Sequence, residues 1–96
     1  MNKDILILKS ELRTYKFDDG REVTKNRVTY AYQESSNTDT KVGFDVFTCN
    51  ISSESFDITK KLRPNEIVKA RLEIKRFREN PNNFQFVIAS INNVEV

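Results

Sequence analysis

LRPNEIVKARLEIKRF, residues 62–77, followed after a polar loop by FQFVIASI, residues 84–91, decides the fold class. A turn, Arg63-Pro64-Asn65-Glu66, launches a strand in which apolar and charged residues alternate. Val68, Ala70, Leu72 and Ile74 fall on one face, and Lys69, Arg71, Glu73 and Lys75 on the other. Strict alternation is the mark of a strand with one buried side. The outer side is mostly basic and runs into Arg76-Phe77-Arg78, a mixture suited to phosphates and to base stacking.

Outward from that strand the chain reads as further extended runs. Residues 5–17, ILILKSELRTYKF, form a long first strand. Leu6 and Leu8 are in phase before Lys9-Ser10-Glu11 interrupts, which predicts a bulge or bend. Asp18-Asp19-Gly20 predicts a tight hairpin, because Asp tolerates turn dihedrals and Gly supplies positive φ. In the second run Val28, Tyr30 and Tyr32 share one face, and Arg27, Thr29 and Ala31 the other. Residues 34–41 read as a polar loop. The third run, VGFDVFTCNI, carries two phases: Val42, Phe44 and Val46, then Phe47, Cys49 and Ile51. Either the strand kinks at Gly43 and swaps faces, or it is partly buried on both. SSESFDITKKL, residues 52–62, predicts a short helix or turn that plugs a core with Phe56, Ile58 and Leu62, capped by Ser55 or Asp57. Residues 79–83 are a loop by composition, and the last strand is expected over Phe84–Val94.

Ninety-six residues leave room for one core, so a single domain over 1–96 is expected. The chain has no histidine, which removes the commonest general base and metal ligand. Its one cysteine, Cys49, reads as a small core hydrophobe and as a sign of a cytoplasmic location. Four apolar residues after Asp4 are too few for a signal peptide or a membrane span. A net charge of +2 permits an anionic partner without requiring one. No enzyme motif, metal cluster or cofactor site is expected: nucleophilic use of Cys49 would need a base nearby, and Asp18-Asp19 is turn chemistry.

Five strands with a helical plug between the third and fourth predict an all-β, five-stranded OB-like barrel. The hairpin KFDDGREV, the polar loop before VGFDVF, and DITKKLRPNEIVKARLEI resemble the small OB-fold single-stranded DNA-binding proteins of phages and plasmids. The resemblance implies DNA binding without sequence preference, a role in DNA replication of a mobile element, and no cofactor. It departs from the cellular bacterial proteins in two ways. Val94-Glu95-Val96 stand where an acidic, aromatic-tipped tail would be expected to begin, and Tyr and Phe stand where tryptophan often stacks bases.

Three stretches are candidates for contact. The first hairpin holds Arg13, Tyr15, Lys16 and Phe17 before its turn and Arg21, Lys25 and Arg27 after it. The plain alternative is a solvated hairpin with cross-strand ion pairs. Tyr30 and Tyr32 point the same way and make either a two-base platform or, in phase with Val28, part of the core. Arg71, Lys75, Arg76, Phe77 and Arg78 lead into the loop between strands 4 and 5, and the plain alternative is a charged edge that discourages sheet pairing. Lys60, Lys61 and Arg63 read as cations at a helix end. The expected partner is single-stranded DNA, bound by a homodimer or a cooperative array, with no membrane involved. The rival is a protein-interaction module that docks a partner on the barrel surface or a strand edge.

Overall fold

The computed structural model describes residues 1–32, 38–63, 65–76 and 82–96. The expected polar loop at 34–37, Pro64 of the turn, and Phe77, Arg78 and the start of the loop at 79–81 lie outside the described residues. The chain is all-β in character: β1 (Asn2–Lys16), β2 (Glu22–Tyr32), β3 (Val46–Ser52), a 3-10 turn (Ser53–Ser55) leading into α1 (Phe56–Thr59), then β4 (Ile67–Arg76), β5 (Phe84–Ile91) and β6 (Val94–Glu95).

The strands form one antiparallel sheet in the order β3-β2-β1-β4-β5-β6. This corrects the expectation of a five-stranded closed barrel. Among the described residues the sheet has six strands and its ladder is open, because no strand pairing joins β3 to β5. The sheet nevertheless curls until those two strands meet: the Gln85 side chain donates through Nε2 to the backbone carbonyl of Thr48 at 2.7 Å. The sixth strand exists because Asn92 and Asn93, at φ 49° and 68°, make a two-residue hairpin turn that ends β5 at Ile91. Asn is the non-glycine residue that accepts such angles most readily.

The bulge expected in β1 is Leu8, where pairing with β2 shifts between Ile7–Tyr30 and Lys9–Thr29. One extra residue flips the side-chain phase. Ile5 and Ile7 point inward before it and Ser10, opposite Val28, after it, while Leu8 is exposed. In the third run the strand covers only Val46–Ser52, and Val42, Phe44 and Val46 are exposed while Cys49 and Ile51 are core.

The core joins Ile5, Ile7, Val28, Tyr30, Cys49, Ile51, Val68, Ala70, Leu72, Ile88 and Ile91. Burying one such side chain contributes roughly 1.5–3 kcal/mol, against at most about 1 for an exposed ion pair, so the apolar face holds the sheet together. The plug docks by polar contacts more than expected. Ser55 and Thr59 are its buried residues, and both accept from Asn26 Nδ2, at 3.1 and 3.0 Å. Ser10 donates to Asn26 Oδ1 at 2.8 Å, so a fully buried asparagine is satisfied from three sides. Ser55 occupies the N-cap position of α1 but makes no side-chain cap; its hydroxyl donates to the Ser52 carbonyl.

Beyond the core two hairpins project. β1 pairs with β4 only over Asn2–Leu6, so its outer half runs along β2 alone. Leu72 still exchanges backbone hydrogen bonds with Met1, and past it β5 is the one strand beside β4 among the described residues. Ile74, assigned by alternation to the core, is consequently 56% exposed. The radius of gyration is 14.6 Å, above the roughly 12.5 Å of a compact chain this long.

Candidate nucleic-acid interface

Cross-strand partners share a face, so the pairing places the candidates directly. On the outer side of the sheet Arg13 lies opposite Lys25, Tyr15 opposite Val23, and Arg27 opposite Asn50 of β3. The Tyr15 hydroxyl donates to Asn50 Oδ1 at 3.3 Å, which ties a half-buried ring of β1 to β3, on the far side of β2. Arg13 Nε reaches Glu11 Oε1 at 3.0 Å.

Where β3 approaches β5, the outer surface sinks into a groove of about 400 Å³. Lys25, Asn50 and Ser52 line one wall, and Arg71, Glu73, Lys75, Val87 and Glu95 line the other. A smaller hollow beside it is lined by Arg27, Thr48, Asn50 and Gln85. Two of the three candidate stretches thus converge on one surface. Lys25, Arg27 and Lys75 take part in no ion pair among the described residues. Arg71 differs: its Nη1 donates to Glu73 Oε1 at 2.9 Å and its Nη2 to Glu95 at 2.9 and 3.1 Å.

The other candidates lie elsewhere. Lys16 faces Glu22 across the hairpin, with Nζ 3.6 Å from Oε1, as in the plain cross-strand reading. At the hairpin tip Arg21 Nε is 2.6 Å from Asp19 Oδ2, and its guanidinium lies 5.0 Å from the centre of the Phe17 ring. Both the charge of Arg21 and one face of Phe17 are therefore already engaged. The Asp18-Asp19-Gly20 turn is present, with Gly20 at φ 89°.

Tyr30 takes the interior alternative. Its ring is fully buried, its hydroxyl donates to the Phe86 carbonyl at 3.1 Å, and no face remains for a base. Burial, then the nearby Cys49 and Tyr32, push its hydroxyl well above the usual tyrosine range. Tyr32 is half-buried beside it, with Lys3 Nζ 5.7 Å from its ring centre; burial and then Asp45 raise its hydroxyl too. Burial likewise raises the Cys49 thiol, partly offset by a backbone hydrogen bond from Ile88, so it stays a neutral core group.

The sequence reading missed three rings. Tyr32 lies 5.0 Å from Phe47, Phe47 meets Phe86 edge-on at 5.9 Å, and Phe86 meets Phe84 edge-on at 5.6 Å. The chain of rings ends in the open at Phe84, 52% exposed and paired across the sheet with Arg76. The available signal was the common phase of Phe84, Phe86 and Ile88 in FQFVIASI. This patch lies on the inner side of the sheet, away from the basic groove.

Among the described residues no group of three or more Cys, Asp or Glu is placed to hold a metal ion, and no helix is long and apolar enough to cross a membrane. Compared with protein-family models, with curated proteins and with solved structures, the chain matches none.

Proposed function

We propose that this chain binds single-stranded DNA without sequence specificity along the outer groove between β3 and β5. The observation that carries the reading is the convergence of Lys25 and Lys75, far apart in the chain, on one groove that Arg71 also lines. Lys25, Arg27, Lys75 and Arg13 would neutralise successive phosphates, and Tyr15, held by Asn50, would stack a base. The strand order supports an OB-like kinship: β1 lies between β2 and β4, and a helical turn joins β3 to β4. On this reading the chain is a binding protein, not an enzyme. It is akin to the small phage and plasmid single-strand binders, coating DNA during replication in the cytoplasm. One groove touches few phosphates, so useful affinity calls for a homodimer or a cooperative array.

A second reading has its own observation. Met1, Ile74 and Phe84 are about half exposed, and Met1, Ile74 and Phe86 line a shallow apolar hollow on the inner side. A patch of this kind suits a protein partner. Fluorescence anisotropy with oligo-dT and a duplex of equal length, over a salt series, separates the two. The proposal expects tighter binding to oligo-dT that weakens steeply with salt. Equal or tighter duplex binding would overturn the stacking mechanism. Absence of binding to either would leave the protein-partner reading in its place.

A further inference from the structure

Arg71 lines the groove with both of its terminal nitrogens already engaged. Both oxygens of Glu95 accept from Nη2, at 2.9 and 3.1 Å, and Glu73 holds Nη1 at 2.9 Å. A guanidinium binds carboxylate and phosphate through the same planar donors, so one readily stands in for the other. We propose that Glu95 is an internal phosphate surrogate, which occupies Arg71 in the free protein and is displaced by a backbone phosphate of the incoming strand. The inference rests on reading the groove as the nucleic-acid path.

Three observations make the exchange physically easy. The Glu95 side chain is 79% exposed and that of Arg71 41%, so water screens the pair and opening it costs little. Glu95 belongs to a strand of two residues whose backbone is pinned independently, through the Ser90–Glu95 and Ile91–Val94 pairs and the Val96 N–H on the Ala89 carbonyl at 3.1 Å. The carboxylate can swing away while β6 stays in place. Glu73, two residues along the same strand, keeps one side of the guanidinium aimed after Glu95 leaves. The result is self-competition: Arg71 adds to affinity only to the extent that phosphate outcompetes Glu95.

The test is a double-mutant cycle read by oligo-dT anisotropy over a salt series, with wild type, E95Q, R71A and the R71A/E95Q double variant. E95Q should bind about two- to fivefold tighter, the range that removal of an exposed ion-pair competitor allows. Its log–log salt slope should steepen by up to about 0.7, because one more cation now releases a counterion. The gain should vanish in the R71A background. E95A should behave as E95Q does, and melting curves of both should overlay the wild type. An equal gain with and without Arg71 would mean a general charge effect and would overturn the surrogate. Wild-type binding with no gain in E95Q would overturn the surrogate alone. No binding by either protein would overturn the reading of the groove itself.

Discussion

Tyr30 and Tyr15 show how one side-chain type takes two roles by environment. Tyr30 fills the centre of the core, so Tyr30→Ala should cost roughly 3–5 kcal/mol of folding free energy. Tyr30→Phe keeps the ring and loses only the hydrogen bond to Phe86, roughly 0.5–1.5 kcal/mol, with oligo-dT affinity unchanged. The raised ionisation of Tyr30 also has a sign that can be checked. An unfolded tyrosine ionises near pH 10 and the folded one only above that, so its contribution to stability is complete below about pH 10. It falls as pH rises beyond. Urea midpoints from about pH 9 to 11 should decline, and Tyr30→Phe should flatten that decline; an identical slope in the variant would assign it to Tyr32 and Cys49, which are shifted the same way. Tyr15 is tied to Asn50 on the outer face, and Tyr15→Ala should cost roughly 1–3 kcal/mol in oligo-dT binding with little change in melting. A melt shifted as far as that of Tyr30→Ala would make Tyr15 a packing residue instead.

The strands owe their working arrangement to single irregularities. Leu8 is the extra residue that lets β1 turn Ile5 and Ile7 inward at one end and Ser10 toward the plug at the other. Deleting Leu8 would restore regular pairing and force one end of the strand out of phase. That removes two isoleucines from the core, roughly 1.5–3 kcal/mol each, or breaks the plug contacts. Leu8→Ala leaves the count intact and changes an exposed side chain, so its unfolding free energy in urea should move by no more than about 0.5 kcal/mol. A deletion variant that melts like the wild type would refute the phase argument. The plug makes a similar test through Asn26. Asn26→Ala removes a donor to Ser55 and Thr59 and an acceptor for Ser10 from a buried network and should cost about 1–3 kcal/mol.

Two hairpin arms and a curled sheet turn scattered cations into a surface. If the groove carries the strand, Lys25→Ala with Lys75→Ala should weaken oligo-dT binding and flatten the log–log salt slope by about 1.4, two contacts at about 0.7 each, while the melt stays put. Weaker binding at an unchanged slope would mean that these lysines act through the fold. Much of this architecture was legible locally. Alternation marks Val68, Ala70 and Leu72 as core, Asp18-Asp19-Gly20 as a hairpin, and residues 52–62 as a small plug. Each is encoded within a few neighbouring residues, by a period of two or by the backbone angles that a residue tolerates. Pairing between distant strands decided the rest. It set which way Tyr30 faces, left Ile74 outside where β1 no longer covers β4, and kept the ladder open between β3 and β5. It also brought Lys25 and Lys75 to one groove while Arg76 went to the other side of the sheet. Register and curl are sums over contacts between segments far apart in the chain, and no local pattern carries them.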